Sequence, residues 1–287
     1  MTVTSSAKPA EAKIVPWTNR LSQLPWWALL ILLLGVLIVF LVITNADYND
    51  AFIFLLAGVR KTVTVSLVSF GIALVLGLIT GLGRVSKNVV VYNLASFYVE
   101  LVRGIPMLIL IIYFAYVVTP LVVEGLNGLG SVMWQGGILR NLAYGFYNLH
   151  VQDVDTTLRA VAGLAFGYGA FEAEVFRAGI QSIGRGQMEA ARSLGMTYFQ
   201  AMRYVILPQA IRRILPPLGN DFISMLKDSS LISVLAVRDL THLGKLNRAR
   251  TFQTYPTWNT VAFLYLSMTL LLSMAVKAIE RRMSFDE

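Results

Sequence analysis

Long apolar runs separated by short polar segments dominate the pattern along the chain. Six runs approach the length of about 20 residues that a helix needs to cross a bilayer. Their predicted bounds are 26–44, 62–83, 105–123, 160–178, 214–237 and 260–276. The second run opens with the alternating segment TVTVSLV, which imitates a strand, but its length without turn residues favours a helix. The pattern therefore predicts an all-α fold, a polytopic membrane bundle of six transmembrane helices.

Composition agrees with an integral membrane protein. Of the 287 residues, 56% are hydrophobic and 14% are charged, whereas roughly 25% of a soluble domain is charged. The net charge of +8 indicates cytoplasmic loops rather than a nucleic-acid partner, because Lys and Arg collect on the inner side of membrane proteins. The first run is longer than the core of a signal peptide, so it is predicted to be an uncleaved anchor.

The distribution of Lys and Arg predicts that both chain ends lie in the cytoplasm. With the N-terminus inside, the inner segments carry more basic residues than the outer ones. The last outer loop departs from this rule, with Arg238, Lys245, Arg248 and Arg250. The predicted organisation is a cytoplasmic tail (1–25), an extra helix with an outer loop (26–57), a transmembrane domain (58–283) and a C-terminal tail (284–287).

The connector 185–208, between the fourth and fifth runs, is unusually rich in small and polar residues. It contains the segment RGQMEAARSLGMTYFQ. Good helix formers extend to Leu194, and Gly195 is suited to the left-handed conformation that ends a helix. Thr197 followed by Gln200 has the spacing of a capping box and predicts a second helix. Pro208 is predicted to interrupt that second helix.

The first helix of this connector is a candidate docking element. Ala190 and Ala191 leave one side without bulk, and Glu189 adds a single charge that can orient a partner. A solvated loop with a few alanines is the alternative that composition alone leaves open.

Ionisable residues within the apolar runs are costly in hydrocarbon and usually face the bundle interior or a watery path. Glu174 with Arg177, and Glu100 with Arg103, are spaced three apart and are predicted to form structural ion pairs. A second group provides candidates for a path through the membrane, because it offers ionisable side chains of both signs together with neutral polar groups. These candidates are Glu172, Asn220, Asp221, Ser224, Lys227 and Asp228.

Enzyme chemistry has few candidate residues, and no catalytic residue, metal site or cofactor is predicted. The chain has no cysteine, and both His150 and His242 are predicted to lie in loops. Gly244–Lys245 is the nearest approach to a phosphate-binding loop, but Asp239 replaces its first glycine and Leu246 its final hydroxyl residue. A membrane-embedded enzyme would have only carboxylates available.

Four segments resemble permease subunits of binding-protein-dependent ATP-driven importers. EAARSLG (189–195) followed by ILP (206–208) is similar to the EAA signature of that family. ELVRGIPMLILIIYF, YGAFEAEVFRAGIQSI and LPPLGNDFISMLKDSSL resemble its polar amino-acid branch, which includes histidine and glutamine permeases. The resemblance covers about 58–283. The extra first run and the charge at Glu172 depart from the family pattern.

The resemblance implies a partner set and a role for the connector. Glu189, Ala190, Ala191, Gly195 and Pro208 would belong to a coupling loop that sits in a groove of a cytosolic ATPase. Two such ATPase subunits would bind ATP and Mg²⁺, a second permease would complete the path, and an extracytoplasmic amino-acid-binding protein would deliver the substrate. The expected location is the bacterial inner membrane. An ion-gradient-driven secondary transporter is the alternative, although no internal repeat of the kind common in those proteins is visible.

Overall fold

The computed structural model describes residues 26–136 and 139–283, in which every regular element is helical. The α-helices are α1 (Trp26–Thr44), α2 (Ala46–Arg84), α3 (Val89–Arg103), α4 (Met107–Tyr113), α5 (Thr119–Gln135), α6 (Arg140–Tyr147), α7 (Thr156–Gln181), α8 (Arg185–Ser193), α9 (Tyr198–Ala201), α10 (Leu207–Asp228), α11 (Leu240–Thr251) and α12 (Thr254–Met283). Wider π turns occupy Phe114–Val118 and Met202–Ile206, and tighter 3₁₀ turns occupy Val151–Asp153 and Ser229–Leu235. The predicted tails 1–25 and 284–287 lie outside the described residues.

Four helical stretches in the described part of the chain are long and apolar enough to cross a membrane. They are Trp26–Thr44, Ala46–Arg84, Met107–Gln135 and Thr254–Arg281. The fourth and fifth predicted runs correspond to α7 and α10, which are helical but fall short of this criterion because ionisable and polar residues interrupt them. The all-α prediction is confirmed, and apolarity alone supports four of the six predicted spans.

α1 and α2 form a helical hairpin joined by Asn45 alone. The Asn45 side chain accepts a hydrogen bond from the backbone N–H of Asp47 at 2.9 Å and caps α2. The predicted outer loop that ends at residue 57 is therefore wrong, because α2 begins at Ala46 and has 39 residues. Polar Asn49 and Asp50 concealed this start from a count of apolar residues.

The third predicted span is longer than its apolar run. α4, the first π turn and α5 follow one another without a break from Met107 to Gln135. Pro120 lies at the start of α5. Its ring has no N–H and collides with the carbonyl four residues earlier, so a π turn that widens the preceding backbone accommodates it.

The segment between the third and fourth predicted spans, residues 124–158, is largely helical. α6 packs against the end of α5, and Gly130 permits the contact, since a Cβ atom there would lie 2.5 Å from the backbone nitrogen of Tyr147. The Trp134 and Tyr144 rings, 6.1 Å apart between centroids, close the same helix pair. These aromatic residues therefore belong to a helical hairpin rather than to an irregular loop.

The contact between α2 and α7 is the most extensive in the bundle. A Cβ atom at Gly77 would lie 2.4 Å from the Cβ atom of Glu172, and one at Gly81 would lie 2.8 Å from the backbone oxygen of Ala173. Glycines four residues apart thus let the two backbones meet. Gly163 makes the equivalent contact with Ile111 on the opposite side of α7. These glycine positions therefore serve close helix packing.

α3 is an amphipathic helix that no apolar run predicted. It ends at Arg103, and Pro106 occupies the N-cap position of α4. The residue before a proline is disfavoured in a helix, so the two helices are separate. The Tyr98 hydroxyl donates to the backbone oxygen of Phe166 at 2.7 Å, which fixes α3 against α7. Val99 and Val102 bury the same side of the helix.

The prediction that Pro208 interrupts the second connector helix is wrong. α9, the second π turn and α10 continue from Tyr198 to Asp228, and Pro208 lies in the first turn of α10. The π turn Met202–Ile206 makes room for the proline ring as its counterpart does before α5. The connector therefore joins the bundle through a continuous helical path.

Candidate functional site

The turn after α8 has the geometry that the connector sequence predicts. Gly195 adopts φ +84°, in the left-handed region. Its N–H donates to the Arg192 carbonyl at 3.0 Å, and the N–H of Met196 donates to the Ala191 carbonyl at 3.2 Å. This pair of bonds is a Schellman motif, which satisfies carbonyls at the end of a helix. The prediction of a left-handed cap at Gly195 is confirmed.

A capping box starts the second connector helix. The Thr197 hydroxyl accepts from the N–H of Gln200 at 3.3 Å, while the Gln200 side chain accepts from the N–H of Thr197 at 2.8 Å. The two caps lie in the short turn between α8 and α9, and each satisfies backbone groups that would otherwise need water. Together they hold the turn, and so the angle between the two helices, in one conformation. The connector is consequently a rigid helical corner, which we call the knuckle (residues 185–201).

The knuckle exposes large apolar side chains. Leu194 and Phe199 are 81% and 83% exposed. Glu189 and Ala190 are also exposed, whereas Ala191 is buried against the rest of the molecule. Exposed apolar side chains of this size are candidates for contact with a partner. No pattern in the sequence singled out Leu194 and Phe199, although two bulky apolar residues beside helix caps were a usable signal.

Three of the polar candidate residues on α10 line a cavity of about 290 Å³. Asp221, Ser224 and Asp228 face Tyr168 and Phe171 of α7 across this space. Ile105 and Met107 complete its lining. The Tyr168 hydroxyl donates to an Asp228 carboxylate oxygen at 2.9 Å. Tyr168, which no sequence pattern indicated, therefore positions one of the acidic side chains.

Glu172 lies one turn along α7 from Tyr168. It is fully buried, and neither of its carboxylate oxygens has a hydrogen-bond partner within the described residues. A buried polar group without a partner is costly and is commonly associated with function. Glu172 sits against Gly77, so its backbone is held by the contact between α2 and α7.

The remaining two path candidates lie elsewhere. Asn220 and Lys227 are exposed and do not line the cavity. No carboxylate of the described residues forms a salt bridge with Lys227, and Asp228 bonds to Tyr168 instead. The two side chains are adjacent in sequence, but neighbouring residues on a helix point in different directions.

An ion network joins three helices beside the cavity. Glu174 pairs with Arg177, as predicted, and also with Arg84 at 3.0 Å. The predicted pair between Glu100 and Arg103 is wrong, because Glu100 pairs with Arg84 at 3.3 Å. The Arg103 guanidinium lies 5.5 Å from the centroid of the Phe171 ring. Arg84, at the end of α2, is thus the salt-bridge partner of Glu100, although Arg103 is nearer to Glu100 in sequence.

The prediction that His242 lies in a loop is also wrong. His242 belongs to the first turn of α11, where its N–H donates to the Asp239 carboxylate at 2.9 Å. Burial raises the pKa of Asp239 above its usual range.

Within the described residues, no three His, Cys, Asp or Glu side chains form a group that could hold a metal ion.

Comparison with known proteins gives the family. Residues 73–285 match the family described as "Binding-protein-dependent transport system inner membrane component". The glutamine transport system permease protein GlnP of Escherichia coli (strain K12) is 32% identical over 229 residues, which are 80% of this chain and 92% of that protein. The arginine transport system permease protein ArgU of Corynebacterium glutamicum is 29% identical and aligns with 97% of this chain and 84% of its own length.

Solved structures share the fold. The crystal structure of an amino acid ABC transporter with histidines superposes with a TM-score of 0.65 at 33% identity, covering 84% of this chain and 97% of that chain. The MetNI methionine ABC transporter, at 21% identity and a TM-score of 0.59, shows the same fold. The family match spans most of the chain and includes the knuckle, α7 and α10. The chain therefore belongs to the inner membrane components of binding-protein-dependent transport systems and is a non-catalytic permease subunit.

Proposed function

We propose that this permease subunit forms the translocation path for a polar amino acid in an ATP-driven importer and is driven through its knuckle. Two relatives named for glutamine and arginine transport, and a solved amino acid transporter with histidines, support this substrate class. Among the observations on the molecule itself, the rigid corner closed by the Schellman motif at Gly195 carries the proposal.

The knuckle is suited to transmit force from a cytosolic ATPase. A partner that grips Glu189, Ala190 and the exposed Leu194 and Phe199 moves a body whose internal angle is fixed by two caps. Because α9 continues into α10, displacement of the knuckle tilts the helix that carries Asp221, Ser224 and Asp228. Ala191 packs inward and contributes to the rigidity of the corner rather than to its outer surface.

The cavity between α7 and α10 is the proposed substrate path. Its carboxylates suit the ammonium group of an amino acid, and the Ser224 hydroxyl adds a neutral hydrogen-bonding group. The buried Glu172 is a further member of this path, held one turn from Tyr168. The exposed Lys227 and Asn220 offer a cation and an amide on a neighbouring face of α10, which a second permease subunit would bring into the same route.

The proposed function requires ATPase, permease and binding-protein partners. Two ATP-binding cassette subunits bind ATP and Mg²⁺ and dock on the knuckles of two permease chains, while an extracytoplasmic binding protein delivers the amino acid. The permease pair alternates between inward- and outward-open states, biased by nucleotide on one side and the loaded binding protein on the other.

The proposed topology has six spans with both chain ends in the cytoplasm of a bacterial inner-membrane protein. α7 and α10 complete the set as polar spans. Glu172 is buried, and Asp221 and Asp228 face the cavity rather than lipid, which is the arrangement that ionisable residues require within a bilayer.

Reconstituted vesicles test the function. Uptake of a labelled polar amino acid should require the ATPase subunits, the binding protein and internal ATP, and should persist when ion gradients are collapsed by ionophores. Uptake that is driven by an ion gradient without ATP would instead support a secondary transporter. A matched preparation with a hydrolysis-deficient ATPase provides the control.

A further inference from the structure

The extra N-terminal helix leaves a groove against the last helix. None of the residues of α1 is buried, and its contacts with α12 are few. Between the two helices lies an apolar groove of about 580 Å³, bounded at one end by Trp27 and Leu270 and at the other by Val39 and Phe263. Gly35 forms its floor, where an added Cβ atom would meet only Phe263, at 3.9 Å.

The groove cannot be filled by water. A buried water requires two to four polar partners, and the polar side-chain groups in the lining are the Ser267 hydroxyl and the Trp27 indole. An empty groove would forfeit dispersion contacts along both helices. Hydrocarbon is therefore the occupant that the lining favours, and it comes either from lipid or from another apolar helix.

The length of the groove suits one acyl chain. The lining extends from Trp27 to Val39, which is about 18 Å along α1. One leaflet of a bilayer core is about 15 Å thick, so a single extended acyl chain matches the length of the groove.

A basic side chain stands where the headgroup of such a lipid would be. Lys277 lies seven residues beyond Leu270, so it is on the same face of α12 and about 10 Å nearer the membrane surface. Its side chain is exposed, and long basic side chains extend toward the headgroup region. Trp26 and Trp27, at the same end of the groove, have the amphipathic rings that prefer this depth.

We propose that the groove between α1 and α12 is a binding site for one phospholipid of the leaflet that contains the Trp27 end. One acyl chain occupies the groove over Gly35, and an anionic phosphate headgroup contacts Lys277. The lipid joins the extra helix to the transport domain, because it supplies the contacts that α1 does not make with α12 directly.

Lipid analysis of the purified, intact transporter tests the site. After detergent washes that remove loosely bound lipid, we expect one phospholipid to be retained per wild-type permease chain. Gly35→Phe fills the groove and should lower retention roughly tenfold or more, equivalent to about 1.4 kcal/mol or more in binding free energy. Leu34→Phe, at an exposed position outside the groove, should retain the wild-type amount. Equal retention by wild type and Gly35→Phe would overturn the proposal.

Further variants separate the alternatives. Lys277→Gln should shift the retained lipid from anionic to zwitterionic species, whereas Lys87→Gln, an exposed control on another surface, should not. If Gly35→Phe does not assemble, Ser267→Phe fills the groove from the α12 side.

A cross-linking experiment tests whether a second copy occupies the groove. Because the chain has no cysteine, Gly35→Cys introduces a unique thiol. Disulfide-linked permease pairs formed through that thiol in native membranes would show that a second copy occupies the groove, and would overturn the lipid proposal.

Discussion

Gly195 ends α8 in a backbone conformation on which the proposed coupling depends. Its left-handed φ of +84° closes the Schellman motif, and nothing lies within 4 Å of the position where a Cβ atom would be. The requirement for glycine is therefore conformational rather than steric. Asparagine tolerates this region of φ and ψ, whereas a β-branched residue does not.

We predict that Gly195→Val uncouples ATP hydrolysis from uptake. The substitution should cost roughly 1–2 kcal/mol in the left-handed conformation and loosen the angle between α8 and α9. The measurement is the ratio of amino acid transported to ATP hydrolysed in reconstituted vesicles. Gly195→Asn should keep a ratio close to wild type, and equal ratios in the two variants would argue against a rigid knuckle.

Glu172 carries a different kind of cost, since it is a buried carboxyl group without hydrogen-bond partners in the described residues. We predict that Glu172→Met raises the free energy of unfolding by about 1–3 kcal/mol, because the desolvation penalty is removed while the side-chain length is kept. Uptake should fall at the same time. Thermal denaturation in detergent and vesicle uptake measure the two effects, and a variant that is more stable and fully active would assign Glu172 no role in the path.

At the scale of helices, glycine positions decide which faces meet. Gly77 and Gly71 belong to the same helix, α2, but only Gly77 is in contact with α7. Glycines four residues apart, such as Gly77 and Gly81, are compatible with a close helix contact, but only the packing identifies α7 as the partner helix.

The two glycines make a matched pair of variants. Gly77→Ala should lower the stability of the purified permease by about 1–3 kcal/mol, because its Cβ atom would lie 2.4 Å from that of Glu172. Gly71→Ala, with nothing within 4 Å, should be neutral or stabilising by up to about 1 kcal/mol through helix propensity. Chemical or thermal unfolding of both variants checks the sign of each change. The same change in both would rule out close packing as the cause.

For the whole molecule, the position of the knuckle relative to the membrane is decisive. A chain without cysteine allows this to be tested with single substitutions. We predict that Glu189→Cys reacts with a membrane-impermeant maleimide only from the cytoplasmic side, and Tyr144→Cys only from the opposite side. Right-side-out and inside-out vesicles provide the measurement, and the parent chain provides the unlabelled control. Labelling of both positions from one side would contradict the six-span topology.

The sequence alone determined the features that depend on local chemistry. Apolar runs specified helices, because a bilayer leaves backbone groups no partner outside the helix itself. The glycine of the Schellman motif and the Thr197–Gln200 capping box were readable because a cap is made by residues within a few positions of one another. The pair Glu174–Arg177 was predicted for the same reason.

Only the tertiary structure decided the features that join distant parts of the chain. Arg84, not Arg103, pairs with Glu100 because α2 and α3 meet at their ends, and Tyr168 bonds to Asp228 because α7 packs on α10. The groove beside α1 likewise needs two helices more than 200 residues apart in sequence. Helical periodicity tells which residues share a face, but which face is covered, and by what, is fixed by the packing of the whole bundle.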